Sequence, residues 1–186
     1  MTTIAKKVFL RPVEEKDYSL FKKWFGDLEV MKYVVSHMPK DIEYTKAMWL
    51  KDYSKKNAIV FIIEIDTKPI GICGFKNIDN EMNIATFGIT IGEKEFWNQG
   101  YGTEIARLLI DYGFEELKLC QINSAVFGFN IRSKRMHEKL GFEIEAKKGN
   151  SPPTQDENGK LWDDIYFTIS KKDWDIKQKI ARSNLR

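Results

Sequence analysis

Two short segments of this chain carry residue types at spacings suited to holding or transferring a chemical group. The first is Trp97-Asn98-Gln99-Gly100-Tyr101-Gly102-Thr103-Glu104, which joins a β-like run to a helix-like one. Two glycines at a strand-to-helix turn let the backbone approach a ligand closely. The opening N–H groups of the helix lack intrahelical partners and point outward with its positive end, an arrangement that receives an anion such as phosphate. An ordinary tight turn would use the same glycines, because a G-x-G pair alone is common. Two nucleotide signatures drop out. A dinucleotide fingerprint needs a third glycine where this chain has Ile105, and no acidic residue closes the next strand, which ends Val126-Phe127-Gly128. A Walker A loop needs Gly-Lys followed by Ser or Thr, and the sequence has no such triplet. The second segment is Asn130-Ile131-Arg132-Ser133-Lys134-Arg135-Met136-His137-Glu138-Lys139-Leu140-Gly141-Phe142. On a helix, Asn130, Ser133 or Lys134, and His137 line one stripe while Met136 and Leu140 line another. The polar stripe faces either a ligand or solvent.

Apolar periodicity predicts the elements that must position these segments. Residues 8–12 (VFLRP) read as a strand stopped by proline. Tyr18, Leu20, Phe21, Trp24 and Phe25 recur at helical spacing after the acidic start Glu14-Glu15-Lys16-Asp17. A second helix is predicted over 41–53. Three strands, 58–65, 70–78 and 84–91, are separated by Asp66-Thr67-Lys68-Pro69 and by Asp79-Asn80-Glu81, which predicts an antiparallel meander. A long helix over 100–117, with Ile105, Leu108, Leu109 and Tyr112 on one face, leads to a strand over 121–127, and that crossover sets the 84–91 and 121–127 strands parallel. A helix over 131–140 has Asn130 as its N-cap and Gly141 as its stop. A strand over 142–146, a polar loop over 149–159, a last strand over 162–170 and a charged frayed helix or tail over 171–186 complete the chain. The fold class is α/β (α+β): a mixed, mostly antiparallel central sheet with one parallel strand pair and flanking helices.

Composition bounds the partners. At ~150 residues per domain, 186 residues make one domain, assigned to 1–175 with a charged tail over 176–186. Lys plus Arg number 30 against 27 Asp plus Glu, and a net +3 does not supply the basic face that nucleic acid requires. Hydrophobic residues at 42% and aromatics at 13% suffice for a packed core. Cys73 and Cys120 lie far apart without a CxxC, and only two histidines are present, so neither a disulfide framework nor a metal site is expected. Both cysteines have apolar neighbours and read as buried and structural, although Cys120 offers a covalent-nucleophile alternative. Residues 1–7 show no apolar run of signal-peptide length, and no stretch nears the ~20 apolar residues of a membrane span. A cytoplasmic protein with no membrane or nucleic-acid partner is expected.

Together, the strand FGITIGEKEFW, NQGYGTE opening a long helix, a further strand and then NIRSKRMHEKLGF resemble the GNAT superfamily of acetyl-coenzyme A (acetyl-CoA) dependent N-acetyltransferases. The opening LRPVEEKDY, the W-N-Q-G-Y-G-T-E form of the loop and the late Asn158-Gly159-Lys160…Asp164 stretch are most similar to its RimJ/RimL-like branch, which also includes relatives acting on polyamines, aminoglycosides and small amines. The resemblance covers about residues 8–170. It implies acetyl-CoA as co-substrate, no metal, an amine acceptor as partner, and room for a homodimer. Backbone amides of Gln99, Gly100, Tyr101, Gly102 and Thr103, with Asn98 adjacent, would hold the pyrophosphate, and Ile89, Thr90 and Ile91 would run along the pantetheine arm. Family members usually carry Gln or Arg where this chain has Trp97, which removes one side-chain contact and leaves the backbone cradle. Asn130 matches a cofactor-facing Asn, and Ser133 to Arg135 lie where further coenzyme contacts are common.

His137 stands where many members of the superfamily place a tyrosine that protonates the departing thiolate. With a reference pKa of about 6.5 against about 8.5 for a thiol, an imidazolium donates readily but is only partly populated at neutral pH. The alternative is that His137 fills the tyrosine's place by packing and that water supplies the proton. The acceptor must also be neutral to react. A lysine-type amine near 10.4 is about one part in a few thousand neutral at pH 7, whereas an α-amine near 7.7–8.0 is on the order of a tenth neutral. Residues 84–91 contain no carboxylate. Base help must then come from water or from a residue such as Glu64 or Asp79, which favours a protein N-terminal α-amine over a polyamine or aminoglycoside. A non-catalytic acyl-CoA sensor is the alternative of a different class. Trp24, Tyr33, Trp49 and Trp162 serve either an acceptor groove or the core, and Asp156, Glu157, Asp163 and Asp164 either attract a cationic acceptor or form a solvated loop.

Overall fold

Strands arise where the chain is rich in β-branched and aromatic residues, and the hydrogen-bonded order of the main sheet is β1 (Val8–Pro12), β2 (Ile59–Ile65), β3 (Lys68–Asp79), β4 (Ile84–Ile91), β5 (Gln121–Val126), β9 (Ile165–Ser170) and β6 (Glu143–Ile144). The computed structural model describes residues 7–34, 57–145 and 153–183, so the helix expected over 41–53 and Trp49 lie outside the described residues. β1–β2, β2–β3, β5–β9 and β6–β9 pair antiparallel, and β4–β5 pair parallel, as the crossover requires. The β2–β3 hairpin is tighter than its sequence suggests. Asp66 (φ 50°) and Thr67 (φ 67°) make a two-residue turn, Lys68 pairs with Ile65, and a bulge follows at Ile63/Glu64. Two successive left-handed residues match the right-handed twist of the flanking strands.

The chain divides into two compact units. The first comprises 1–76 and 88–109, the second 77–87 and 110–186. In the first, α1 (Tyr18–Gly26) buries Phe21, Trp24 and Phe25 with Ile62 of β2, Ile72 of β3 and Met31 of α2 (Leu28–Met31). Before α1, a 3-10 turn over Glu15–Asp17 carries a buried carboxylate: Asp17 is 1% exposed, receives Arg11 at 2.7 and 2.8 Å and the Glu14 N–H at 2.8 Å. The Arg11 hydrogen bond holds that carboxyl below its ordinary range, which is how a buried charge stays tolerable. Helix α3 (Tyr101–Glu115) starts in this unit, burying Ile105, Ala106 and Leu109, and continues into the second, where Ile110 and Phe114 are buried.

In the second unit, β5 and β9 pair along their full length, and α4 (Ile131–Leu140) has the ends its sequence predicts. The Asn130 side chain accepts from Ser133 N at 3.1 Å, and Gly141 closes the helix at φ +87°. Two expectations, the unpaired polar loop and the buried Cys120, are corrected here, and the C-terminal stretch takes the helical one of its two readings. Within the polar loop, β7 (Thr154–Gln155) and β8 (Leu161–Trp162) pair as a separate ribbon around Asp156, whose carboxylate accepts from Asn158 N (2.9 Å), Lys160 N (3.0 Å) and Trp162 Nε1 (2.8 Å). The charged C-terminal stretch is a helix, α5 (Lys171–Ser183), anchored by buried Trp174, whose Nε1 donates to Asp111 at 2.7 Å. Cys120 is exposed, unlike buried Cys73, because it precedes β5 beside the β3–β4 turn, where its Sγ donates to the Met82 carbonyl at 3.3 Å. Among the described residues, no helix is long and apolar enough to cross a membrane.

Candidate functional site

The residues expected to hold the coenzyme fall into two groups. Ile89, Thr90, Ile91 and Asn98 to Thr103 lie in the first unit, and Asn130, Ser133, Arg135 and His137 in the second.

In the first group, β4 ends at Ile91 and turns away. Both Gly92 N (2.8 Å) and Glu93 N (3.0 Å) donate to the Ile70 carbonyl, and a 3-10 turn over Lys94–Phe96 follows. Phe96 is buried and meets the Tyr101 ring edge-on at 5.7 Å, so the loop is pinned at both ends by one aromatic pair. The Gln99 side chain donates to the Glu95 carbonyl. Asn98 (φ +61°) and Gly100 (φ +89°) are both left-handed, and residues Asn98, Gln99 and Gly100 are exposed. Among the described residues, a Cβ placed on Gly100 would meet nothing within 4 Å. Open space above a left-handed glycine, immediately before the positive end of a 15-residue helix, fits the phosphates of a coenzyme. Ile89, Thr90 and Ile91 are half-buried and extended beside this turn. The Ile91 carbonyl accepts from Trp97 Nε1 at 2.8 Å, a link the sequence reading missed. Its only sequence signal is an aromatic donor shortly after a strand end.

In the second group, Asn130 uses its side-chain oxygen as the helix cap, Ser133 offers its carbonyl to His137 Nδ1 at 2.8 Å, Lys134 lies 3.9 Å from Glu138, and Arg135 is exposed. His137 is 2% exposed and boxed by aromatic rings: stacked on Phe167 at 4.6 Å, edge-on to Phe142 at 4.9 Å and tilted against Phe87 at 5.4 Å. Its Nε2 is buried with no hydrogen-bond partner among the described residues. Burial pushes the imidazole below its ordinary pKa, and the Ser133 hydrogen bond offsets this only in part. A neutral ring whose Nδ1–H is donated to a carbonyl leaves Nε2 without a proton to give. This environment favours the packing alternative over the acid.

The two candidate bases are engaged elsewhere. Glu64 receives Arg11 Nε at 2.8 Å, and Asp79 accepts the Glu81 and Met82 amides, both at 2.9 Å. Two of the acidic residues near the ribbon also organise it. Asp156 closes its turn, and Asp164, raised above its ordinary pKa by burial, accepts from Thr154 Oγ1 at 3.2 Å. Trp24 is core, Tyr33 lies edge-on to Trp97 at 6.4 Å, and Trp162 sits under the Lys160 ammonium at 3.9 Å. Among the described residues, no three His, Cys, Asp or Glu side chains gather as a metal site.

Comparison with known proteins bears on these parts. The profile described as "Acetyltransferase (GNAT) domain" matches residues 7–143. The chain is 29% identical over 178 residues to the uncharacterized N-acetyltransferase p20 of Bacillus licheniformis, covering 93% of this chain and 98% of that one. It is 30% identical over 127 residues to YdaF of Bacillus subtilis (strain 168), a candidate ribosomal N-acetyltransferase, covering 68% of this chain and 67% of that one. Among solved structures, the spermidine N-acetyltransferase of Vibrio cholerae in complex with CoA and spermine superposes with a TM-score of 0.76 at 21% identity, covering 90% of this chain and 97% of that one.

Proposed function

We infer the reaction from the premise that this chain belongs to the GNAT acetyltransferase family: it is an acetyl-CoA-dependent N-acetyltransferase, and acetyl passes directly to a primary amine. The observation that carries this reading is the left-handed Gly100 turn opening α3, with clear space where a phosphate would sit. In it, the loop from Gln99 to Thr103, next to Asn98, holds the coenzyme's pyrophosphate through the amides of Gln99 to Gly102, the Thr103 N–H being given to the Gly100 carbonyl at 3.0 Å, and the positive end of α3 favours the charge. Ile89, Thr90 and Ile91 lie along the pantetheine arm. The neutral amine nitrogen attacks the acetyl carbonyl, the carbon–sulfur bond breaks, the amine proton passes to solvent, and the thiolate leaves as such or takes a proton from water. His137 packs the second unit, and no proton is drawn from its buried ring.

The acceptor we propose is a protein N-terminal α-amine, as in the RimJ/RimL-like branch. Two things support it. Residues 84–91 carry no carboxylate while Glu64 and Asp79 are held by other partners, so an amine that is already partly neutral is the better match. The similarity to YdaF points the same way. A polyamine is the second reading, favoured by the superposition on the spermidine enzyme. Thiol release from acetyl-CoA against a panel of N-terminal peptides, spermidine, spermine and an aminoglycoside separates them. Turnover with peptides above polyamines is expected. Preference for spermidine overturns the α-amine assignment, and no turnover with any amine overturns the reaction.

A further inference from the structure

Trp97 occupies a position at which the indole ties together two stretches of backbone, and we propose that it is a positioning residue for the coenzyme, acting through the Ile91 carbonyl. The inference rests on the reading that Asn98 to Thr103 hold the coenzyme's pyrophosphate. Within the first unit, the strand end and the loop are separated by a 3-10 turn over Lys94–Phe96 and by left-handed Asn98, a connection with few regular hydrogen bonds. Trp97 N donates to the Lys94 carbonyl at 3.0 Å, closing that turn, while Trp97 Nε1 reaches back to Ile91 O at 2.8 Å. Beside the Phe96–Tyr101 ring contact and the Gln99 bond to Glu95, Trp97 is thereby the tie that runs from the loop to the last carbonyl of β4. The half-buried ring is steadied edge-on by Tyr33 at 6.4 Å.

A loop held at a set distance from the strand presents its amides pre-organised, so less ordering accompanies ligand binding. The bond also engages one acceptor site of the Ile91 carbonyl at the edge of the strand, orienting it. Gln and Trp carry their side-chain N–H the same number of bonds from Cα, so a glutamine here can make the same contact without the ring.

The test compares Trp97→Phe, which keeps a ring and loses the N–H, with Trp97→Gln, which keeps an N–H and loses the ring. Calorimetric Kd for CoA and separate KM values for acetyl-CoA and for the amine are measured on the full chain. Trp97→Phe should raise Kd and the acetyl-CoA KM about fivefold, the factor that accompanies loss of one neutral hydrogen bond, while kcat at saturating acetyl-CoA and the amine KM stay within about twofold. Trp97→Gln should bind CoA within about twofold of the wild type. An unchanged Kd in Trp97→Phe overturns the proposal. So does a Gln variant as weak as the Phe variant, or a parallel rise in both KM values with a fallen Tm, which marks a merely structural role. Gly100→Asp distinguishes the underlying reading: its carboxylate enters the open space above the turn and should abolish CoA binding. If Gly100→Asp binds CoA normally, the loop assignment itself fails.

Discussion

Replacing His137 by phenylalanine tests what the buried imidazole does. The ring is nearly fully buried among Phe87, Phe142 and Phe167, Nδ1 is held by the Ser133 carbonyl at 2.8 Å, and Nε2 has no partner among the described residues. At pH 7.5 the substitution removes one hydrogen bond, a loss of about 1 kcal/mol, and also removes a buried unsatisfied nitrogen, a gain of about 1–3 kcal/mol. A phenyl ring is larger than the imidazole it replaces, so the net is expected within about 1.5 kcal/mol of zero. The pH dependence is sharper. Burial lowers the folded-state pKa, so below about 6.5 the unfolded chain binds a proton that the folded chain does not, and stability falls as pH falls through that window. The limiting slope is about 1.4 kcal/mol per pH unit for one proton, and it ends where the folded-state ring titrates. Urea melts of wild type and His137→Phe between pH 7.5 and 5 should therefore cross or diverge, the variant gaining on the wild type on acidification. Parallel stability curves would refute the buried neutral imidazole. Turnover of the same variant at saturating substrates should stay within about threefold across neutral to alkaline pH, and a drop of about a hundredfold, the scale of general acid catalysis, would restore the acid role.

Three further outcomes follow from the packing. Gly92→Ala places a Cβ well inside contact distance of the ring atoms of buried Trp24, and it should destabilise the first unit by about 2 kcal/mol in urea melts; a change under about 0.5 would show that the contact relaxes freely. Asp17→Asn leaves Arg11 with the Glu64 carboxylate and the Pro12 carbonyl and should cost about 3 kcal/mol at neutral pH. The Asp17 carboxyl is held below its usual range, so its contribution is present above about pH 4 and is lost as pH falls through the folded-state value; the difference between wild type and Asp17→Asn should shrink there, and a constant difference would count against the pairing. Asp156→Ala removes the acceptor of Asn158 N, Lys160 N and Trp162 Nε1, so amide exchange across the β7–β8 ribbon should quicken while that of β5 and β9 is unaltered.

Local order is legible from residues close in sequence. Asn130 caps α4 and Gly141 ends it because a capping oxygen and a left-handed glycine act over three or four residues. The parallel β4–β5 pair follows from a strand, a helix and a strand in succession, for which topology leaves little choice. The β7–β8 ribbon leaves no such trace, because each strand is two residues long and its organiser, Asp156, works through a turn rather than a pattern. Cys120 reads as buried because its neighbours Leu119 and Ile122 are, while its own side chain is turned out to the Met82 carbonyl.

By itself the amino-acid order determined the long strands, α1, α3 and α4, the two-glycine turn before α3 and the family, because periodicity, caps and motif spacing act over short stretches of chain. Tertiary structure decided the state of each ionisable group. Whether His137 carries a proton depends on Phe87, Phe142 and Phe167. Whether Glu64 is available as a base depends on Arg11, which lies 53 positions away in the chain. Burial and pairing are properties of what the fold brings alongside a residue, and a residue's own type and near neighbours do not specify them.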